Sequence, residues 1–221
     1  MQNEIVTVTT ADGVELDGAV YRPGTPGTPR ASSILMVHGL TWNFYRGPSR
    51  WLPPLLAAAG YPCLSLNMRD HDLAEPKDFE LAHRDLSAGV EYLAAQNGGE
   101  IVLLAHGFAC NKVACYAAAS NDGIPRRTIL TTLGAAKAYR PEIWAAALSG
   151  AAAMRGDTLI VQGAIDTLIE ARARADELTE AAAASLVETV LLEGGNHYFD
   201  DRHEALAAVI AEWLGRAGGA R

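Results

Sequence analysis

The residues best suited to chemistry lie in two late loops. VQGAID ends on Asp166, and LEGGNHYF carries His197. A histidine changes charge near neutral pH, and a positioned one moves protons; a carboxylate on one ring nitrogen fixes the tautomer that leaves the other as a base. A third stretch, 103–110 (LLAHGFAC), closes one apolar run and opens an alanine-rich one. Its centre is Gly107, which has no side chain to react. An earlier pair, His38-Gly39, precedes three aromatic residues, Trp42, Phe44 and Tyr45, and Tyr198 follows His197 directly.

These groups must be held by regular elements. Residues 4–9 and 14–21 alternate apolar and polar around Ala11-Asp12-Gly13, a hairpin signal. Strands follow at 33–37, 63–66, 101–105, 127–133, 158–161 and 186–192. Between them the spacing predicts helices at 51–59 (stopped by Gly60), 79–93, 108–119, 141–154 and 168–184; a last apolar stripe is Leu206, Val209, Ile210 and Trp213. Apolar strands alternating with amphipathic helices predict a mostly parallel sheet with helices on both faces, a single domain over 1–221. In such sheets functional groups collect at the carboxyl ends of strands. Those ends carry His38-Gly39-Leu40, the 67–70 turn, His106-Gly107-Phe108, the 163–166 turn and the 194–197 turn.

Composition narrows the partners. The 221 residues carry 18 Lys and Arg against 26 Asp and Glu, a net charge of −8, with the cations scattered. Nucleic acid and anionic membranes need a basic face, so neither is expected. No run approaches the roughly 20 apolar residues that span a bilayer, and the N-terminus lacks the apolar segment of a signal peptide. Three cysteines, Cys63, Cys110 and Cys115, have no metal-site spacing and read as free thiols of a reducing, cytoplasmic protein. No metal or cofactor is expected; His71, within Arg69-Asp70-His71-Asp72, reads as part of a salt-bridged turn.

The order elbow, acid, histidine resembles the α/β-hydrolase family over essentially the whole chain. That family carries its nucleophile in a G-x-S-x-G turn, its acid after the penultimate strand and its histidine after the last. The resemblance implies Asp166 as the acid, His197 as the base, and the backbone N–H groups of Leu40 and Phe108 as the oxyanion hole. More narrowly, HGLTWNFY, LNMRDHD and AHGFACNKVACYAA resemble a branch of small members with HG-x-x-x-N-F-Y, an N-x-R-G-H-D-like turn and H-S-x-G-x-N-K. Gly107 replaces the serine, Ala105 and Ala109 the flanking glycines, and Asp70 a glycine. Family lids are inserted before the penultimate strand, so 134–157 is expected to be a reduced lid of at most one helix.

A serine-free elbow leaves the base and oxyanion hole for a nucleophile brought by the substrate. Direct acyl transfer, with the acyl group a small molecule or carried on a protein or peptide, is the leading expectation. His38, Trp42, Phe44, Tyr45 and Tyr198 are expected to line the pocket. A non-catalytic binding module, an esterase or thioesterase, and a cofactor-free lyase or cyclase are the alternatives. Cys110, in the first helical turn, is a minor nucleophile candidate, with Thr131, Thr132 and Ser149 weaker still. His106 reads as a packed histidine.

Overall fold

The structure, a computed structural model, describes residues 2–24, 31–73, 75, 77–97, 99–119, 127–133, 140–154, 156–167, 171–182 and 187–217. Eight strands form one sheet: β1 (Gln2–Thr9), β2 (Glu15–Arg22), β3 (Ser32–Val37), β4 (Cys63–Leu66), β5 (Glu100–His106), β6 (Arg127–Thr131), β7 (Asp157–Gly163) and β8 (Val187–Leu192). Their order is β1-β2-β4-β3-β5-β6-β7-β8. The leading hairpin is antiparallel, with Thr9 opposite Glu15, and β2 also runs antiparallel to β4; the pairs from β4 to β8 are parallel.

Among the described residues six helices cover the faces. They are α1 (Pro48–Ala58), α2 (Ala82–Asn97), α3 (Ala109–Ala119), α4 (Pro141–Ala151), α5 (Ala171–Ala181) and α6 (His203–Ala217). Alternation within the buried strands divides the core. Leu35 and Val37 of β3, and Leu103 and Ala105 of β5, pack with Leu86, Val113, Trp144 and Leu178 from α2 to α5. Ile34, Met36, Val102 and Leu104 pack with Leu52 and Leu56 of α1 and Ile210 and Trp213 of α6. Each fully buried large aliphatic side chain contributes about 1.5–3 kcal/mol.

The elements fall where the sequence places them, with shifted ends. Helix α1 begins at Pro48 and runs through Pro53 and Pro54. Pro53 has no N–H for the Ser49 carbonyl, and the Ser65 hydroxyl lies 3.1 Å from that oxygen instead. Gly60 ends the helix at φ +98°. Strand β6 stops at Thr131 because Thr132 turns to φ +52°. Residues 168–170 and 183–184 of the expected penultimate helix, and 134–139 and 155 of the expected lid region, lie outside the described residues. The helix in that region is a crossover: a Cβ on Gly150 of α4 would fall 2.0 Å from the Ala114 carbonyl oxygen, so α4 lies directly on α3. Among the described residues nothing else is inserted as a lid, and no helix is long and apolar enough to cross a membrane.

Candidate active site

Gly107 occupies the turn between β5 and α3 at φ +60°, a conformation glycine adopts without cost. Its N–H donates to the Thr131 carbonyl (2.9 Å), and its carbonyl accepts from the Cys110 N–H (3.1 Å). That carbonyl and the Phe108 N–H share one trans peptide plane and point oppositely. The bond into the helix therefore turns the Phe108 N–H outward, over the turn.

Asp166 and His197 meet because two glycines let their loops cross. A Cβ on Gly163 would lie 2.4 Å from the Gly195 carbonyl oxygen, and one on Gly195 3.2 Å from Gly163 Cα. The Ala164 N–H to Leu192 carbonyl (3.0 Å) and Ile165 N–H to Gly195 carbonyl (2.9 Å) bonds stitch the loops together. His197 Nδ1 then stands 2.9 Å from Asp166 Oδ2, with the carboxylate buried and the imidazole 17% exposed. With Asp166 Oδ2 accepting from His197 Nδ1, the lone pair of the ring is on Nε2. Thr132 donates its hydroxyl to the His197 carbonyl (3.2 Å). Chain neighbours aside, a Cβ on Gly107 would have one atom of the described residues within 4 Å: His197 Nε2, at 3.8 Å.

The loop after β3 comes to the same place. A Cβ on Gly39 would lie 3.3 Å from the His106 carbonyl oxygen and 4.0 Å from the Phe108 nitrogen. The Met68 N–H donates to His38 Nε2 (2.9 Å), so the proton is on Nδ1, which donates to the Gly39 carbonyl (2.8 Å). Burial, with the Lys112 charge adding to it, lowers the His38 pKa to about 3. The ring is neutral, and it fixes the peptide plane that carries the Leu40 N–H. Among the described residues neither the Leu40 nor the Phe108 N–H donates to a backbone acceptor.

The expected pocket residues divide. Trp42 stacks on His106 (centroids 5.4 Å apart, 10° between planes) and meets Tyr198 at 5.1 Å; Tyr198 stands edge-on to His197 at 4.9 Å. The Trp42 ring needs Gly47, where a Cβ would lie 2.1 Å from it. The other three are not gathered there. His38 is buried with both nitrogens bonded to backbone. Phe44 packs against the α1–α6 half of the core. Tyr45 is 56% exposed beneath the Arg50 guanidinium, 5.1 Å from its ring centre. The motif spacing from His38 could not reveal the turn at 43–46, where the Arg46 N–H donates to the Asn43 carbonyl (3.3 Å).

Cys110 is a packed thiol. It is buried, its Sγ lies 3.7 Å from the Ala105 and 3.6 Å from the Thr131 carbonyl oxygen, and burial pushes its pKa far up. Thr131 donates to the Ala105 carbonyl (3.0 Å) and accepts from His106 Nδ1 (3.1 Å); Ser149 is exposed on α4. His106 is buried with Nε2 unpartnered, and burial, with the nearby His197 adding, lowers its pKa to about 3. The Arg69 turn pairs outward rather than within itself: Arg69 bonds Asp85 (2.7 Å) and Asp12 (3.0 Å), and His71 Nδ1 donates to the Met68 carbonyl (3.0 Å). Asp70, where the resembled branch has glycine, meets Lys112 at 2.5 Å, both buried. The signal for that pair was Lys112, the one charged residue of α3. Among the described residues no cluster of three or more His, Cys, Asp or Glu could hold a metal.

The chain matches no protein-family model and no curated protein sequence. Solved structures resemble it over nearly its whole length. The dienelactone hydrolase from Anabaena variabilis is 19% identical, with 97% of each chain covered and a TM-score of 0.77. An α/β serine hydrolase without lid from Xanthomonas campestris is 17% identical, covering 100% of this chain and 97% of that one at a TM-score of 0.78. Est1E from Butyrivibrio proteoclasticus, in its structure with ferulic acid bound, is 17% identical, covering 96% and 98% at 0.79. The chain has the α/β-hydrolase fold, lid-free among the described residues.

Proposed function

We propose that this protein is an acyltransferase whose attacking nucleophile is supplied by a substrate. The observation that carries this reading is the alignment of His197 Nε2 with the open space in front of Gly107, 3.8 Å from where a Cβ would stand. A thiol, amine or hydroxyl entering there gives its proton to His197 Nε2 as it attacks the acyl carbonyl carbon. Asp166 stabilises the imidazolium, and the Leu40 and Phe108 N–H groups hold the oxyanion. The tetrahedral intermediate then collapses, and the protonated His197 returns its proton to the leaving group. Water in the same place would give hydrolysis, so thioesterase or esterase turnover is the side reaction of this site. One domain, 1–221, carries the whole constellation.

The Trp42–Tyr198 pair beside the base favours an aromatic or otherwise flat acyl group. The ferulic acid bound to Est1E shows an aromatic acid held on this fold. The exposure of Ile165 and Tyr198 beside Asp166 and His197 suits an acyl group delivered by a carrier protein or peptide. Three free cysteines suit a reducing, cytoplasmic setting.

The test is transfer from an aryl thioester to an added small thiol or amine. Wild type should form the transfer product with no acylated protein by intact-mass analysis, and His197→Ala should lose the rate. Transfer that survives in His197→Ala would sink the reading of His197 as the base, and no transfer by wild type would leave a binding module.

A further inference from the structure

The buried charge pair Asp70–Lys112 has no role in the proposed chemistry. Lys112 Nζ lies 2.5 Å from Asp70 Oδ1, with side chains 2% and 3% exposed. The second Asp70 oxygen, Oδ2, and the neighbouring Asn111 Oδ1 are buried without partners. A buried ion pair recovers little or none of its desolvation cost compared with apolar residues of similar size. An incompletely bonded pair is therefore a weak stabilising device, and its position is more informative.

Lys112 lies on α3 one turn beyond Phe108, the residue whose N–H faces over the elbow. Asp70 belongs to the turn after β4, two residues beyond Met68. The Met68 N–H holds His38 Nε2 at 2.9 Å, and His38 Nδ1 holds the Gly39 carbonyl at 2.8 Å. The Arg69 N–H, between them, is tied to Asp85 Oδ2 at 2.9 Å. A continuous chain of contacts thus runs from α3 through the 68–70 turn and His38 to the peptide carrying the Leu40 N–H.

We propose that Asp70 and Lys112 are positioning residues, whose ion pair clamps the 68–70 turn to α3 and so keeps the Leu40 N–H aimed beside that of Phe108. The clamp rests on the reading of Leu40 as an oxyanion donor. Without the pair, the turn can move off α3, Met68 loses His38 Nε2, and the His38 proton is free to occupy either nitrogen.

The test compares wild type with the Asp70→Asn/Lys112→Met double variant, which removes both charges at similar volume. Nitrogen-15 NMR reports the His38 tautomer, and amide exchange reports Met68; neither requires turnover. The double variant should show a second His38 tautomer and Met68 exchange faster by at least about tenfold. Where wild type catalyses thioester transfer, kcat should fall by about tenfold or more with KM unchanged. If the variant does not fold, Lys112→Gln alone reads the same NMR signals. A folded variant that keeps one His38 tautomer and wild-type Met68 protection overturns the clamp. A shift of both signals in a protein without transfer activity supports the clamp and overturns only the acyl-transfer reading.

Discussion

The β-position of Gly107 points at His197 Nε2 across 3.8 Å, and among the described residues no other atom outside its chain neighbours lies within 4 Å. A serine hydroxyl fits that gap at a backbone cost, since φ +60° strains a non-glycine residue by about 1–3 kcal/mol. Gly107→Ser should therefore melt several degrees lower than wild type. It should also gain a burst of aryl-ester acylation and labelling by a serine-directed fluorophosphonate. A folded variant that takes up no label at position 107 would show that base and elbow are misaligned.

Asp166→Asn tests the orienting carboxylate. The amide can present its NH2 to His197 Nδ1, which favours the tautomer with the proton on Nε2 and removes the base. Transfer should fall on the order of 10²–10⁴-fold while the fold is retained. Steady-state kinetics on the aryl thioester check this, and a fall below about threefold would remove Asp166 from the mechanism.

The crossing of Gly163 and Gly195 predicts a different failure. A methyl at Gly163 would stand 2.4 Å from one carbonyl oxygen and 2.5 Å from the next, those of Gly195 and Asn196. Both obstacles are backbone, so Gly163→Ala must push the two loops apart. Urea unfolding should show a loss of roughly 2 kcal/mol or more, with transfer reduced to near the His197→Ala level. Wild-type stability in Gly163→Ala would mean that the loops cross less closely.

The fold was legible because β3 and β5 carry unbroken apolar runs at 34–37 and 101–105, and helical stripes such as Phe79, Ala82, Leu86, Val90 and Leu93 are unambiguous. Asp166 and His197 were legible from their order at successive strand ends. Pairwise features were not. Asp70–Lys112 joins residues 42 apart in sequence, and no local pattern announces a contact of that range. The places of Phe44 and Tyr45 were not legible because aromatic type gives no direction: the Phe44 N–H is tied to the Asn67 side chain (2.8 Å), Phe44 packs on the α1–α6 half of the core, and Tyr45 is exposed.

Cys110 offers a clean contrast between proximity in sequence and participation. Its thiol is buried among the carbonyl oxygens of Ala105 and Thr131, and burial disfavours the thiolate. Cys110→Ala should keep transfer within about twofold of wild type and lose no more than about 1–2 kcal/mol of stability. A loss of transfer on the scale of His197→Ala would instead make Cys110 the nucleophile.

Acid sensitivity follows from two buried neutral histidines. His38 and His106 have pKa values of about 3 in the folded protein against an ordinary 6.5, because burial penalises their charged forms. Between those values the unfolded chain binds protons that the folded one does not, so stability falls as pH drops from 6.5 toward 3. Above 6.5 neither state is protonated at these rings, and their contribution is constant. Each ring costs at most about 1.4 kcal/mol per pH unit within the window. Asp12, held below the usual carboxylate range by the Arg69 guanidinium, adds in the same direction only below the ordinary aspartate value of 3.8. Urea midpoints at about pH 8.5, 7.5, 6.0 and 5.0 should therefore be nearly level between the first two and then fall. His106→Phe cannot take up that proton and should lose about half of the slope between roughly pH 6.0 and 5.0. An unchanged slope in a folded His106→Phe would place the acid sensitivity elsewhere in the molecule.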